Sequence, residues 1–305
     1  MVEAHHSPVL LQEVVAALKP GPGGRFVDCT VGEAGHSVAV LEKGAGVLGI
    51  DLDSEALRVA RRRLEEHGDR VHLVAGSYAD LETIASERGY VPADGVLFDL
   101  GISSLQIDTA ARGFSIQRES RLDMRFDSTQ ELTAHEVVNT YSEREIADLI
   151  YQFGEEPSSR RIARAIVRGR PINTTTELAD IVVNAVGRRP KSRTHPATRT
   201  FQAIRMTVNQ ELENVRNGME GAVRVLASAG RLAVISYHSL EDRLVKRFLK
   251  LESSDCICPP TTPLCVCGHT ARMSLVSRRV IKPSAQELEA NPRSRSARLR
   301  VAERI

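Results

Sequence analysis

The feature that most constrains this chain is residues 25–37, where an apolar segment runs through small residues into a helix-compatible segment, residues 37–43. This order predicts a strand, a tight loop and a helix whose N-terminus faces the loop. Small residues let a ligand approach the backbone, and free N–H groups with the positive helix end attract an anionic group such as a carboxylate. We term residues 25–37 the cradle and expect it to hold a nucleotide-like ligand.

A second apolar segment, residues 46–50, leads into Asp51, which lies about twenty residues past the first loop glycine. An acidic side chain at this distance holds ribose hydroxyls in dinucleotide folds, so the ligand is expected to carry a ribose. A nicotinamide fold requires G-x-G-x-x-G, whereas this loop has Ala34 and no third glycine at the required spacing. The sequence therefore argues against a dehydrogenase.

Two further apolar segments each precede a candidate side chain. Residues 71–75 are followed by Tyr78, and residues 96–98 are followed by Asp99. Strands that alternate with helices predict a parallel, doubly wound sheet, and such sheets bind ligands at the carboxyl ends of their strands. We therefore expect the cradle, Asp51, Tyr78 and Asp99 to meet at one edge of the sheet.

An insertion is expected before the next strand candidate, residues 231–236, because one crossover helix does not need so long a segment. Ser142 and Thr174 each begin a capping box that opens an apolar helical pattern. A basic helical segment, residues 159–168, lies between the two patterns. The inserted segment is thus predicted to be helical.

We predict a core in two parts, residues 1–106 and 198–305, with an inserted helical substrate-recognition subdomain at 107–197. The second part contains a Cys-rich loop, residues 256–269, and ends in an alternating segment, residues 296–302, typical of a closing edge strand. It is also expected to begin with one long helix. The apolar stripe of that helix is Phe201, Ile204, Val208, Leu212, Val215 and Met219.

Basic residues are concentrated in two regions. Between Arg160 and Arg205 there are eleven Lys or Arg against two acidic residues, and from Arg272 onward there are nine against three. In the first region the excess continues through residues 188–193. Such charges can be the solvated face of a helix. Two basic stretches that flank one fold favour a phosphate-binding surface, and we expect a nucleic-acid partner.

Four of the five cysteines lie between Cys256 and Cys267. No leader with a basic end and an apolar centre opens the chain, and no apolar run reaches membrane-spanning length. We therefore expect a cytoplasmic location, no membrane partner, and thiols that are reduced or metal-bound. Thiolates of this number can build a tetrahedral zinc site, but C-x-C pairs are less typical of zinc than C-x-x-C. The sequence leads us to predict no metal site and leaves zinc binding by this loop open.

Several longer motifs occur in a fixed order from one end of the chain to the other. They are GEAGHS at 32–37, DLGISS at 99–104 with Gln106, RGFS at 112–115, LDMR at 122–125, HPATRTFQ at 195–202, SLED at 239–242 and NPRSRS at 291–296. Together they resemble the bacterial RsmH (MraW) family. The resemblance implies a class I S-adenosylmethionine-dependent methyltransferase fold, α/β and Rossmann-like, with a mostly parallel sheet. It also implies methylation of N4 of a cytosine in the decoding centre, at the peptidyl site, of 16S rRNA in the small ribosomal subunit.

The same resemblance implies the residues that bind S-adenosylmethionine. They are Ala34, Gly35, His36, Asp51, Tyr78, Asp99 and Gln106. The chain departs from the family at Glu33 and Ala34, where glycine is more usual, and at Tyr78, where phenylalanine is common. A hydroxyl at the ring edge should not prevent Tyr78 from packing against adenine.

Methylation of an exocyclic amine is mainly a positioning problem, because the amine lone pair is delocalised into the ring while the sulfonium methyl is already activated. Asp99 is a candidate acceptor for the amine N–H. Tyr237 and His238 are the predicted catalytic residues, for base contact or later proton removal, although His238 can instead cap the following helix. Amino-methyltransferases commonly carry Asp-Pro-Pro-Tyr where Asp99 stands, so we expect Tyr237 or Phe114 to supply the stacking face that this chain lacks there.

Two other functions remain open at this stage. A DNA amino-methyltransferase shares the cofactor chemistry, and a non-catalytic RNA-binding module for ribosome assembly could retain the pocket without turnover. The sequence also leaves open whether the substrate is free RNA or an assembled subunit, whether the chain forms a homodimer, and which residue removes the amine proton.

Overall fold

The computed structural model describes residues 8–187, 194–259, 261–262 and 264–305. The chain divides into two compact units. We term them the core unit, Met1–Gly101 with Leu212–Ile305, and the helical unit, Ile102–Glu211. The helical unit begins earlier and ends later in the sequence than the inserted segment 107–197 that the sequence predicts.

The core unit is built on a seven-stranded sheet. Its strands are β1 (Arg25–Asp28), β2 (Gly46–Asp51), β3 (Val71–Ala75), β4 (Ala93–Asp99), β5 (Leu226–Ser236), β6 (Met273–Leu275) and β7 (Arg298–Arg304). The spatial order is β3-β2-β1-β4-β5-β7-β6. Strands β1 to β5 are parallel to one another, and β7 is antiparallel to both β5 and β6. The expected class I methyltransferase fold, with its mostly parallel sheet, is confirmed.

Both faces of this sheet are buried. Alternate residues of one strand enter different hydrophobic clusters, since Val27 and Phe98 pack in one and Phe26 and Leu97 in the other. This alternation follows from the two-residue period of a strand, and helices cover both faces as parallel sheets require. None of the helices in the described ranges is long and apolar enough to cross a membrane. The helices outside the helical unit are α1 (Leu11–Leu18), α2 (Gly35–Leu41), α3 (Ser54–Arg63), α4 (Leu81–Glu87), α11 (Glu211–Val225, which begins at the boundary), α12 (Ser239–Glu252) and α13 (Ala285–Ala290).

The helical unit has a hydrophobic core of its own. Its helices are α5 (Ser104–Asp108), α6 (Ala134–Thr140), α7 (Glu143–Gly154), α8 (Ser159–Arg168), α9 (Thr175–Val186) and α10 (Thr198–Val208). The predicted capping boxes are confirmed: the side chains of Ser142 and Thr174 accept hydrogen bonds from the backbone N–H groups of Glu145 and Glu177. These caps satisfy N–H groups that a helix start leaves unpaired.

The prediction of one long helix through residues 201–219 is wrong. Helix α10 ends at Val208 and α11 begins at Glu211, because Gln210 adopts a left-handed backbone with φ of +49°. The buried Asn209 side chain holds this break: it accepts from the Phe126 N–H at 2.7 Å and donates to the Met124 carbonyl at 2.8 Å. The apolar stripe therefore serves two cores, with Phe201 in that of the helical unit and Val215 and Met219 in that of the core unit.

The predicted closing edge strand is also placed differently. Strand β7 pairs on one side with β5 and on the other with β6, so it is an interior strand. Strand β6 has three residues, Met273–Leu275, which is too short for an alternating pattern to be recognised in the sequence.

Candidate active site

The cradle loop connects β1 to α2 through backbone that bends sharply. Gly32 and Ala34 have φ of +50° and +63°, a left-handed conformation that glycine adopts freely and alanine does not. At Gly35, a Cβ atom would lie 2.3 Å from Cγ of Pro8. The missing side chain there makes room for the segment that precedes α1, so this small residue is required by packing. The predicted role of Ala34 and Gly35 in cofactor binding stays a prediction.

His36 links the cradle to Asp99 at the end of β4. Its ring is buried, and Nε2 forms a 2.9 Å hydrogen bond with the carbonyl oxygen of Val9. Nδ1 lies 3.8 Å from Oδ2 of Asp99. The side chain is therefore fixed by Val9 on one side while its other nitrogen faces Asp99.

Asp51, at the end of β2, is anchored by two backbone groups. Its Oδ2 accepts from the Gly32 N–H and its Oδ1 from the Asp53 N–H, both at 2.9 Å. Burial raises the pKa of this carboxyl from 3.8 to about 6, against the opposing effect of the two hydrogen bonds. A carboxylate has about four lone-pair sites, so the two oxygens can still accept hydroxyl donors.

Asp99, at the end of β4, joins the cradle to β5. Its backbone N–H donates to Oγ1 of Thr30 in the cradle loop at 2.7 Å, and its Oδ1 accepts from the hydroxyl of Tyr237 at 2.7 Å. Burial raises the pKa of the carboxyl, while His36 and the Tyr237 hydroxyl act in the opposite direction. The hydrogen bond to Thr30 fixes the position of the Asp99 backbone relative to the cradle loop.

Asp28, at the end of β1, was not among the candidates from the sequence. Its buried carboxylate accepts from the Ser37 hydroxyl at 2.7 Å and from the Thr30 N–H at 3.2 Å, and burial raises its pKa. The rule that singled out Asp51 and Asp99, an acidic residue at the end of an apolar strand, applies equally to Asp28. Together these three carboxylates occupy the ends of β1, β2 and β4.

This edge of the sheet is electronegative. In the described part of the chain, no lysine or arginine forms an ion pair with Asp28, Asp51 or Asp99, and His36 is the one basic side chain within 4 Å of any of them. Burial disfavours the charged form of each carboxyl, which explains why all three pKa values are raised. The arrangement suits a ligand that brings hydroxyl donors and positive charge.

Tyr78 supplies an aromatic ring that is partly buried against the hydrophobic core of the core unit. It follows β3, and its ring meets that of Phe98 edge to face, with centroids 5.5 Å apart and planes at 82°. Phe98 immediately precedes Asp99 in β4, so the Tyr78 ring lies near the carboxyl end of this strand, while the Phe98 and Asp99 side chains point to opposite faces of the sheet. An aromatic ring in this place can pack against a planar ligand group.

Tyr237 follows β5 and is held at both ends. Its backbone N–H donates to Oε2 of Glu241 at 2.9 Å, and its hydroxyl donates to Asp99. Burial, followed by the charge of Asp99, raises the pKa of this hydroxyl well above its ordinary value. The phenol therefore stays protonated and remains a hydrogen-bond donor at neutral pH.

His238 is the N-cap of α12. Its Nδ1 accepts from the Glu241 N–H at 3.3 Å, and Oε2 of Glu241 accepts from the His238 N–H at 3.3 Å, which completes a capping box. The capping alternative is thus confirmed. Nε2 lies 2.9 Å from Oε1 of Glu241 but has no partner in hydrogen-bond geometry. The catalytic role of His238 stays a prediction.

A cavity of about 250 Å³ lies beside Tyr237 and His238. Three basic residues, Lys282, Arg295 and Arg298, contribute to its lining. One of them, Arg298, also donates to Oδ2 of Asp242 at 2.9 Å. A cavity with this lining suits an anionic group such as a phosphate.

Two predicted residues lie in the helical unit. Gln106 closes the capping box of α5: its Oε1 accepts from the Ser103 N–H and its own N–H donates to the Ser103 hydroxyl, both at 3.1 Å. Its role toward the cofactor stays a prediction. Phe114 is 8% exposed and stacks on Phe126 at a centroid distance of 5.8 Å. Its ring belongs to a hydrophobic core, which leaves Tyr237 as the candidate for base contact.

The core unit therefore brings His36, Asp51, Asp99 and Tyr237 into one polar cluster around the cradle loop. Sequence reasoning missed Thr30, because nothing in the sequence indicates that its hydroxyl accepts from a residue 69 positions away. It also missed Glu241 and Asp28, whereas the basic lining of the cavity belongs to the C-terminal stretch whose charge already favoured a phosphate-binding surface. The SLED motif contained Glu241, and a capping box read from His238 would have given its role.

A model of the MraW methylase family matches residues 3–305. Ribosomal RNA small subunit methyltransferase H of Dehalococcoides mccartyi is 51% identical over an aligned length of 308 residues. The alignment covers 100% of this chain and 88% of that protein. The enzyme of the same name from Thermomicrobium roseum is 51% identical over 306 residues, with 98% and 94% covered. That from Syntrophus aciditrophicus is 47% identical over 310 residues, with 99% and 98% covered.

Proposed function

The chain belongs to the MraW methylase family, and on that premise we propose that it methylates small-subunit ribosomal RNA with S-adenosylmethionine as the methyl donor. The finer proposal is that the acceptor is N4 of a cytosine in the decoding centre, at the peptidyl site, of 16S rRNA. The N4 assignment follows from the resemblance of the motifs, and one structural observation supports methyl transfer at this site. The Asp99 N–H donates to Thr30 in the cradle loop while the Asp99 side chain accepts from Tyr237. These hydrogen bonds connect the loop proposed to hold the cofactor to the side chains proposed to hold the base.

The residues of the core unit fit S-adenosylmethionine chemically. Asp51 retains lone pairs that can accept the two ribose hydroxyls. Asp28, Asp51 and Asp99 have no lysine or arginine partner among the residues that the structure describes, which favours a ligand that carries a sulfonium and an ammonium group. Tyr78 offers a ring to the adenine. When bound, the cofactor supplies a methyl group activated by its sulfonium sulfur. Ala34, Gly35 and Gln106 complete the proposed set on the resemblance of their motifs.

Asp99 is proposed to orient the cytosine amine. The amine must present its nitrogen toward the methyl group, and a carboxylate that accepts one of its N–H groups fixes that direction. As the nitrogen acquires positive charge it loses a proton, and the raised pKa makes Asp99 a better proton acceptor than an ordinary aspartate. Tyr237 holds Oδ1 of this carboxylate through its hydroxyl and presents its ring to the base.

The basic cavity beside Tyr237 is proposed to hold a phosphate of the target nucleotide. Sequence-specific RNA recognition usually takes a base out of its stack, and the flanking phosphates must then be held by the protein. Lys282 and Arg295 are exposed at this cavity and can donate to phosphate oxygens.

The helical unit is proposed to contact the RNA. Helix α8 exposes four arginines, Arg160, Arg161, Arg164 and Arg168, while its apolar face, with Ile162 and Ile166, is buried. Arg164 lies 3.5 Å from Glu143, and the others extend the positive face. The predicted basic segment 188–193, including Arg188 and Arg189, lies outside the described residues. A surface of this charge supports backbone contacts to RNA without specifying sequence.

The test is transfer of labelled methyl from S-adenosylmethionine to small ribosomal subunits that lack the modification, followed by nucleoside analysis. We expect N4-methylated cytidine. Naked 16S rRNA and duplex DNA are assayed in parallel, because transfer to DNA but not to ribosomal RNA would identify a DNA amino-methyltransferase. Cofactor binding without transfer to any of these acceptors would instead identify a non-catalytic RNA-binding module. Methyl on another atom or base would refute the N4 assignment alone.

A further inference from the structure

The Cys-rich loop between α12 and β6 gathers four thiols that the proposed methyl transfer does not use. The ligand atoms of Cys256, Cys258, Cys265 and Cys267 all lie within 4.8 Å of one another. Sγ of Cys265 is 3.5 Å from Sγ of both Cys256 and Cys267, and the Cys256 and Cys267 sulfurs are 3.9 Å apart. None of the four forms a disulfide.

These separations match the edges of a zinc–thiolate tetrahedron. Zn–S bonds of about 2.3 Å in tetrahedral geometry place the sulfurs about 3.8 Å apart. A disulfide would instead require about 2.05 Å and would pair the thiols two by two. We propose that these four cysteines bind one Zn²⁺ ion as a structural site.

The loop backbone supports this assignment. The residue between the cysteines of each C-x-C pair directs its N–H at a sulfur of the other pair: Ile257 donates to Cys267 at 3.5 Å and Val266 to Cys258 at 3.4 Å. The two halves of the loop are therefore arranged reciprocally around the sulfurs. Donors of this kind offset the negative charge of thiolates, which explains how C-x-C pairs can replace the more typical C-x-x-C.

In the described part of the loop, apolar packing does not hold the tip. The apolar side chains of Ile257, Leu264 and Val266 are 45%, 79% and 81% exposed, so they form no hydrophobic core. The base of the loop is held by Arg272, which pairs with Glu252 at 2.7 Å through two nitrogens, but this pair does not reach the tip. A short segment without a core is typically stabilised by a disulfide or a metal. Four protein ligands leave no open position, so the ion would be structural and would take no part in the reaction.

The experiment uses the full chain, expressed with zinc in the medium and desalted, and measures metal by plasma mass spectrometry. Three proteins are compared: the parent chain, the double variant Cys256→Ser with Cys265→Ser, and the control Val266→Ala, which changes an exposed residue of the same loop and keeps all four thiols. We expect one zinc per chain in the parent and the control, and less than about 0.1 in the double variant. Far-UV circular dichroism confirms that the double variant retains the fold.

A second measurement adds Co²⁺ alone to chelator-treated protein. Tetrahedral thiolate coordination is expected to give intense visible absorption in the parent and the control, and none in the double variant. A parent chain without zinc that also gives no cobalt absorption would overturn the proposal. So would equal zinc in the double variant, or oxidised cysteine pairs in the parent under non-reducing mass spectrometry.

Discussion

The hydroxyl of Tyr237 donates a 2.7 Å hydrogen bond to Oδ1 of Asp99, although the two residues are 138 positions apart in the sequence. They stand at the ends of neighbouring parallel strands, β5 and β4, whose register pairs Asp99 with Ile235. The contact gives a partly buried carboxylate one fixed donor and leaves its second oxygen toward His36.

Replacing Tyr237 by Phe should lower methyl-transfer turnover by roughly 10- to 100-fold, the usual effect of removing a hydrogen bond to a charged group. Loss of the donor also raises the pKa of Asp99, so the acidic limb of the turnover profile should move to higher pH. Affinity for S-adenosylmethionine should change by less than about twofold, since Tyr237 is assigned to the base. Tyr237→Ala, which also removes the ring, should reduce turnover further.

The matched control for this substitution is Tyr151→Phe, because Tyr151 is 65% exposed and lies in the helical unit. It should leave turnover unchanged. Wild-type turnover in both Tyr237 variants would remove this residue from the site.

Cofactor affinity should depend on the ionisation of Asp51. In the proposed function the carboxylate form accepts the ribose hydroxyls, and the pKa of about 6 means that the protonated form dominates below pH 6. Affinity should therefore rise with pH through 6 and level off above it, with binding about tenfold weaker at pH 5 than at pH 7. Isothermal titration calorimetry across this range measures the effect. In Asp51→Asn, affinity should be lower and independent of pH over the same range.

The same carboxyl has the opposite effect on folding of the unliganded chain. Its folded pKa is raised from 3.8 to about 6, so its contribution to stability is fully present below 3.8 and is lost as pH rises through 6. Asp51→Asn should remove this component from the pH dependence of unfolding. If the two proteins show the same dependence between pH 4 and 6, the carboxyl does not titrate in this window.

Binding to ribosomal RNA should use the exposed arginines of α8. Changing Arg160 and Arg168 together to Ala should weaken binding and reduce the slope of log affinity against log salt by about 1.4 to 1.8, two phosphate contacts. The control is Arg58→Ala with Arg62→Ala, which removes two exposed charges from α3 in the core unit. If both pairs reduce the slope equally, the effect comes from net charge and not from α8.

Asn209→Ala should destabilise the chain by about 1–3 kcal/mol, because the partly buried N–H of Phe126 loses its acceptor and the Met124 carbonyl loses a donor. Urea unfolding measures this change. Asn184→Ala, at an exposed position in α9, should stay within about 0.5 kcal/mol of the parent chain. If Asn209→Ala leaves the free energy of unfolding unchanged, the backbone of Gln210 ends α10 without a contribution from the Asn209 side chain.

The parts of this structure that could be predicted are those that local sequence determines. Asp51 and Asp99 were found because an apolar run that ends in an acid marks a strand end, and the caps at Ser142 and Thr174 were found because their partners lie three residues away. The break at Asn209 could not be found, since the groups that its side chain holds lie 83 and 85 positions earlier. An uninterrupted apolar stripe hides such a break, because both halves are buried.

In the candidate site too, local sequence indicated some features, whereas others depend on tertiary packing. Residue types suggested Tyr237 and Phe114 equally as a stacking face, and only the tertiary packing of Phe114 on Phe126 separates them. The four cysteines illustrate a related limit. Spacing along the chain did not indicate how the two C-x-C pairs interleave, and the reciprocal N–H donors of Ile257 and Val266 are a property of the folded loop.

The position of the helical unit between β4 and β5 has a consequence for the order of folding. These strands are hydrogen-bonded neighbours, yet all of Ile102–Glu211 separates them in sequence, and such long-range pairing is slow because loop entropy is lost before contacts form. Helix α8 contacts both α7 and α9, its neighbours in the sequence, and β2 pairs with both β1 and β3. We expect both to form early. The cradle and Asp51, on β1 and β2, thus come together at an early stage of folding. The contact between Tyr237 and Asp99 forms at a later stage, when β5 pairs with β4.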